Sequence, residues 1–85
     1  MEIVGEIRNR PRSWRSRTDG RKVLSFDVET DPERGGCWYR CQARGAAAAE
    51  LARRLTPGAR VTVRGLPRVV RWLRVPEADS VTVEP

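Results

Sequence analysis

Apolar and polar residues alternate along most of the chain with the two-residue period of half-buried β-strands. The period is clearest over residues 22–30, where Leu24, Phe26 and Val28 occupy one face. The residues of the opposite face are Val23, Ser25, Asp27 and Glu29. The pattern predicts a strand whose first set of side chains points into a core and whose second set points outward.

The same period predicts four further strands, at residues 2–8, 37–44, 60–73 and 80–84. One helix is predicted at residues 46–55, because four apolar side chains share one side at helical spacing: Ala48, Leu51, Ala52 and Leu55. The order is three strands, a helix and two strands. This order predicts an all-β fold, a five-stranded OB-fold barrel with one short helix between strands 3 and 4. At 85 residues, the whole chain (1–85) is expected to form a single domain.

Turn residues separate these segments. Asp19-Gly20 is a strong hairpin signal. The basic stretch before it, residues 9–17, is interpreted as a loop. Gly65 and Pro67 predict a bulge or bend, because both residues disrupt a regular ladder. Residues 76–79 are expected to form a short turn before the last strand.

The charge gives information about the binding partner, because the net charge is +6 and the basic residues are clustered. One cluster lies between residues 8 and 22, and its only acid is Asp19. The second lies between Arg60 and Arg74 and contains no acid. Clusters of one sign favour a polyanionic partner over an ordinary solvated surface, on which signs usually mix.

Three tryptophans lie among these arginines, a combination typical of grooves that follow phosphates and stack unpaired bases. Trp38 is expected on the outer face of its strand, whereas Cys37, Tyr39 and Cys41 take the apolar side. Trp14 could instead fold over the end of the barrel. The predicted nucleic-acid-binding residues are Arg12, Trp14, Arg15, Arg17, Trp38, Arg40, Arg44, Arg68, Arg71, Trp72 and Arg74.

The residue types of the chain do not favour an enzyme or a metal-binding protein. The chain has no histidine, so the usual general base is missing. Cys37 and Cys41 lie too far apart along a strand for a disulfide and are interpreted as small buried thiols. The scattered carboxylates are interpreted as solvated surface: Glu2, Glu6, Asp27, Glu29 and Glu50. We therefore expect no catalytic residue, no metal site and no cofactor.

Ordered matches along nearly the whole chain resemble the bacterial single-stranded DNA-binding proteins and their smaller relative, primosomal replication protein N. The first half supplies Val4-Gly5-Glu6-Ile7, Pro11, Asp19-Gly20, Val23, Phe26, Val28 and Thr30. The more specific second half fits the family's spacing without a gap at Trp38-Tyr39-Arg40, Gly45, Leu55, Gly58, Val61, Val63, Arg64, Gly65, Arg68 and Trp72.

The resemblance implies base stacking on Trp38 and Trp72. Two other family aromatics are absent: Arg44 stands at one position, and the loop over residues 31–36 is too short for the other. Phosphate contacts are therefore expected to contribute more of the binding, and base stacking less. The family's acidic tail is also absent here, which fits the primosomal relative, a phage or plasmid form, or a trimmed chain. Pairing of first strands in the family implies a homodimer or higher homo-oligomer.

The leading hypothesis is therefore a non-catalytic binder of single-stranded DNA in replication, restart or recombination. The alternatives are an RNA-binding OB domain and a primosome-type adaptor that contacts replication proteins. No apolar run is long enough for a membrane span and no signal peptide is evident, so no membrane partner is expected and the cytoplasm is the expected compartment.

Overall fold

A computed structural model describes residues 2–30, 36–70 and 73–84; for residues 66–70, 73–77 and 79 it describes the backbone alone. The elements in chain order are β1 (Glu2–Ile7), β2 (Arg12–Arg15), β3 (Lys22–Thr30), β4 (Cys37–Arg44), α1 (Ala46–Arg54), β5 (Arg60–Val70) and β6 (Leu73–Val83). No helix in these ranges is long and apolar enough to cross a membrane.

The strands form one sheet in the order β1-β5-β6-β4-β3-β2, and a further pairing of β1 with β3 closes it. The contacts are antiparallel except between β4 and β6, which meet in parallel at Gln42 and Glu77. The closed ring contains five strands, and β2 extends it along β3. This confirms the predicted OB-type barrel. The interpretation of residues 9–17 as a loop is wrong, since residues 12–15 pair with β3.

The barrel closes because β1 passes very close to β3. A Cβ atom at Gly5 would lie 2.3 Å from the carbonyl oxygen of Glu29, so only glycine fits there. Glu6 then pairs with Arg60 of β5 on one side and with Glu29 of β3 on the other. A single residue thus joins the two halves of the sheet.

The core lies inside this ring and under α1. Its fully buried side chains include Ile7, Leu24, Phe26, Val28, Cys41, Leu55, Val61 and Val63. Helix α1 packs against β3 and β4 and buries Ala48 and Leu51. Ala52, predicted to be buried, is exposed, because the helix touches only this one side of the barrel and its buried stripe is narrow.

The last two strands form a long hairpin in which Val70 pairs with Leu73. A bulge is present next to Gly65, as predicted, but its extra residue lies on the opposite strand: Arg64 pairs with Ser80 and Gly65 with Ala78, so Asp79 of β6 is the extra residue. The pairing continues without a break through Leu66 and Pro67. The predicted turn at residues 76–79 is wrong, because these residues belong to β6.

Pro76 and Pro67 face each other across this hairpin. Neither proline has an N–H to donate. Because the two prolines are paired with each other, both missing hydrogen-bond donors fall at the same position of the β5–β6 ladder. The chain can therefore continue as a strand through a segment whose composition is typical of a turn.

The first half of β4 extends beyond the core. Residues 37–40 are all exposed, and burial begins at Cys41. The reason is that, among the described strands, these residues pair with β3 alone, whereas the pairing of β6 with β4 is at Gln42. Cys37 is therefore an exposed thiol, contrary to prediction, and Tyr39 is 42% exposed rather than on a covered apolar side.

The two cysteines should react very differently with a thiol reagent. Burial, followed by the nearby Asp27 charge, raises the pKa of Cys41 from 9.0 to about 12. Its protonated form thus contributes stability that is present below about pH 9 and is lost as the pH rises toward 12. We expect iodoacetamide at pH 8 to label Cys37 in the folded protein and Cys41 only after unfolding, as measured by mass spectrometry. Rapid labelling of a folded Cys37→Ser variant would contradict this.

Candidate nucleic-acid interface

The outer face of β2, β3 and β4 carries most of the predicted binding residues that the structure describes. Strand pairing places Trp14, Val23 and Arg44 in one row, and Arg12, Ser25 and Gln42 in the next. Asp27 and Arg40 form the third row, and Glu29 and Trp38 form the fourth. A strand rises about 3.3 Å per residue, so the first and fourth rows lie about 20 Å apart.

A groove of about 630 Å³ opens between β2 and β4 on this face. We call it the β2–β4 groove, and its lining residues are Asn9, Arg10, Arg12, Trp14, Ser25, Phe26, Asp27, Arg40 and Gln42. Three arginines and one carboxylate give it a net positive charge. Amide and hydroxyl groups, from Asn9, Gln42 and Ser25, complete the polar lining.

Asp27 is the acid of this groove, and it is only 8% exposed. Arg40 Nε donates to its Oδ1 at 3.1 Å, and Asn9 Nδ2 donates to its Oδ2 at 3.2 Å. The interpretation of this residue as solvated surface is therefore wrong: a desolvated carboxylate needs such partners. The contact also positions Arg40, whose side chain stays 64% exposed.

Trp14 lies on β2 beside the groove and is 45% exposed. Its cross-strand partner Val23, predicted to point to solvent, is nevertheless buried. The reason is that Trp14 and Arg44 flank Val23 as direct neighbours on the same face, and such neighbours lie within side-chain contact. Trp14 thus covers the sheet with part of its ring and exposes the rest.

Trp38 lies at the other end of the outer face and is 55% exposed, as predicted. The Arg8 guanidinium lies over its ring, 5.6 Å from the centroid. Glu29, the cross-strand neighbour of Trp38, forms an ion pair with the same Arg8. One face of this indole is therefore already stacked on a cation.

The structure brings together some of the predicted residues and leaves others apart. Arg12, Trp14 and Arg40 line the groove, and Arg44 and Trp38 share its face. Arg15 and Arg17 lie toward the β2–β3 turn, where Arg15 donates to the Gly20 carbonyl oxygen at 3.1 Å. Four predicted positions lie outside the described side chains: Arg68, Arg71, Trp72 and Arg74.

Six groove residues were not among the predicted site residues. They are Asn9, Arg10, Ser25, Phe26, Asp27 and Gln42. Alternation already placed Ser25 and Asp27 on the outer face of β3, and Gln42 beside Arg40 on that of β4. The signal that would have connected them is the β3–β4 register, which the sequence pattern does not specify. In the described ranges no cluster of cysteine, aspartate and glutamate could hold a metal ion.

Comparison with known proteins supports the fold. No protein-family profile and no curated protein matches the chain. Among solved structures, it is similar to the SSB domain of a Synechococcus protein, with a TM-score of 0.82 and 16% identity over 95% of this chain and 90% of that one. It is also similar to a deletion mutant of the single-stranded DNA binding protein from Thermus aquaticus, with a TM-score of 0.82 and 21% identity.

The second alignment covers 99% of this chain and 40% of the Thermus aquaticus chain. The present chain thus spans less than half of that protein. At these identities, the likeness shows the OB-fold arrangement of strands and helix.

Proposed function

We propose that this protein binds single-stranded DNA on the outer face of β2, β3 and β4, in replication, restart or recombination. The observation that carries the proposal is the arrangement of two exposed tryptophans, Trp14 and Trp38, at opposite ends of one face with arginines between them. The fold shared with a single-stranded DNA binding protein and an SSB domain supports it.

The chemistry of the face suits an unpaired strand. Bases stack on exposed indole rings, and this stacking works for every base because each has a π-face. Phosphates are attracted to Arg10, Arg12 and Arg40 around the groove. A duplex, whose bases are already stacked on each other, cannot use the tryptophans in this way.

The proposed interface extends to the β5–β6 hairpin through Arg68, Arg71, Trp72 and Arg74. Binding requires no group that makes or breaks a covalent bond, so we infer a non-catalytic role. RNA remains the alternative strand, because no residue here identifies a 2′-hydroxyl contact. The other alternative is an adaptor, which would use the same exposed face to contact replication proteins and would bind no nucleic acid.

Self-association is the second part of the proposal. From Glu2 to Gly5, β1 pairs with β5 on one edge, and no described strand pairs with its other edge. Val4 lies on this segment and is 43% exposed. An open edge beside an exposed apolar side chain favours pairing with another copy of the chain. We propose a homodimer or higher homo-oligomer formed through β1.

Replacing either described tryptophan with alanine should weaken binding to a single-stranded oligonucleotide by about 1–3 kcal/mol, the usual contribution of one stacked base. Trp38→Ala should change the free energy of unfolding by no more than about 1 kcal/mol, because the side chain lies on the surface. Trp14→Ala also uncovers Val23 and should cost more stability than Trp38→Ala, but less than the about 3–5 kcal/mol of a core aromatic residue. Fluorescence titrations and thermal melts measure both quantities.

Tyr39→Ala is the matched control, because Tyr39 is an exposed aromatic residue that points to the other side of β4. It should leave affinity unchanged. Phe26→Ala supplies the contrast of a core residue, with an expected loss of about 3–5 kcal/mol of stability. Tryptophan variants that melt like Phe26→Ala, or bind like the parent, would contradict the interface.

Removing groove arginines should reduce the salt dependence of binding. For a single strand, the slope of log affinity against log salt falls by about 0.7 for each phosphate that the protein no longer neutralises. We expect this reduction for Arg10→Ala/Arg12→Ala. A double variant on the exposed surface of α1, Arg53→Ala/Arg54→Ala, removes the same charge away from the groove and should keep the parent slope. Equal slopes in the two double variants would exclude the groove as the phosphate site.

Light scattering at high micromolar concentration should give at least twice the mass of one chain. Val4→Glu places a charge on the exposed segment of β1 and should shift the protein toward the monomer. Ala49→Glu, on the exposed side of α1, is the control and should not. A monomeric parent protein would rule out this mode of assembly.

A further inference from the structure

The floor of the β2–β4 groove contains a carboxylate where a phosphate-binding surface would be expected to carry only positive charge. Asp27 follows the core residue Phe26 on β3, and it lines the groove together with Arg40 and Gln42. Its negative charge repels phosphates, so Asp27 suits a contact with the edge of a base better than a contact with the backbone of a strand.

Asp27 retains hydrogen-bonding capacity for such an edge. An ionised carboxylate accepts about four hydrogen bonds, and Asn9 and Arg40 donate one each. Both donors are themselves groove-lining residues, one in the segment after β1 and one on β4. The remaining acceptor positions can take N–H groups from a molecule in the groove, but they cannot donate to a carbonyl oxygen.

The neighbouring groups fit the rest of a base. Ser25 and Gln42 lie in the adjacent row, and within the described part of the chain neither side chain forms a hydrogen bond. The amide of Gln42 can both donate and accept. Trp14 lies in the next row along the sheet, also lines the groove, and offers a ring for stacking. The floor thus combines a stacking surface, an acceptor and an adaptable amide.

We propose that Asp27 is a base-reading residue, which accepts a hydrogen bond from an exocyclic amino group and makes the groove prefer cytosine to thymine. Cytosine presents the N4 amino group, a recognised partner of aspartate, whereas thymine presents the O4 carbonyl oxygen at the same place. Thymine would set that oxygen against the carboxylate. The inference rests on the proposed binding of single-stranded DNA and adds a base preference to it.

The test compares two oligonucleotides of equal length, all dC and all dT, at mildly alkaline pH. Both bases are pyrimidines, so the comparison varies the base edge and largely preserves the stacking. We expect the parent protein to bind the dC strand at least about fivefold more tightly, the lower end for a specific base contact. Equal affinities, or tighter binding of the dT strand, would overturn the proposal without any variant.

Asp27→Asn tests the assigned residue. The amide keeps the shape of the side chain and can donate to the thymine O4, so the preference for dC should disappear or reverse. Glu50→Gln removes the same charge from the exposed surface of α1 and should keep the parent's ratio of affinities. Thermal melts establish that each variant is folded.

The outcomes separate the two levels of inference. Failure to bind either strand would refute the proposed function. Tight binding of both strands with a ratio near one would refute only the role of Asp27. A dC preference that persists unchanged in folded Asp27→Asn would also refute that role, since another group would then read the base.

Discussion

The approach of β1 to β3 is the constraint on which the rest of the structure depends. Glycine at position 5 lets the two backbones approach closely enough for β1 to pair with β3 as well as with β5. This contact closes the ring around the core. It also uses the edge of β3 only near Val28 and Glu29, so β2 can pair with the same edge farther along, between Lys22 and Ser25. The candidate groove exists because β3 is shared in this way.

Asp27 lies where these two pairings meet, and its contacts join three segments. Asn9 comes from the chain between β1 and β2, and Arg40 comes from β4. A carboxylate that is nearly removed from water is stable only when its partners are in place. The same contacts therefore order the chain that leads into β2 and hold Arg40 beside the groove. Structural support and the proposed base contact are compatible, because they use different lone pairs of one group.

Much of the fold could be predicted from the sequence, because alternation is strong where one face of a strand meets the core. The predicted bounds of β3 and β4 agree with the structure at both ends. Strand β2 was missed because its residues, from Arg12 to Arg15, have no buried side; all four are exposed and are held by pairing with β3. Alternation also could not show that β4 extends beyond the core, which exposes Cys37 and Tyr39.

Burial at Val23 and Asp27 depends on neighbours across the sheet, and a pattern along one strand contains no such information.

The two tryptophans of the outer face have different neighbours before any strand binds. Trp14 lies beside an open groove, whereas the Arg8 guanidinium already stacks on Trp38 and is held there by Glu29. An exposed cation–π contact contributes about 0.5–1 kcal/mol, and an exposed ion pair adds about 0–1 kcal/mol. A stacked base contributes about 1–3 kcal/mol.

A base can therefore displace Arg8, or it can use the opposite face of the indole and leave the arginine in place. The second arrangement keeps both contacts and sets the positive charge of Arg8 beside the strand, so the energetics favour an indole stacked between arginine and base.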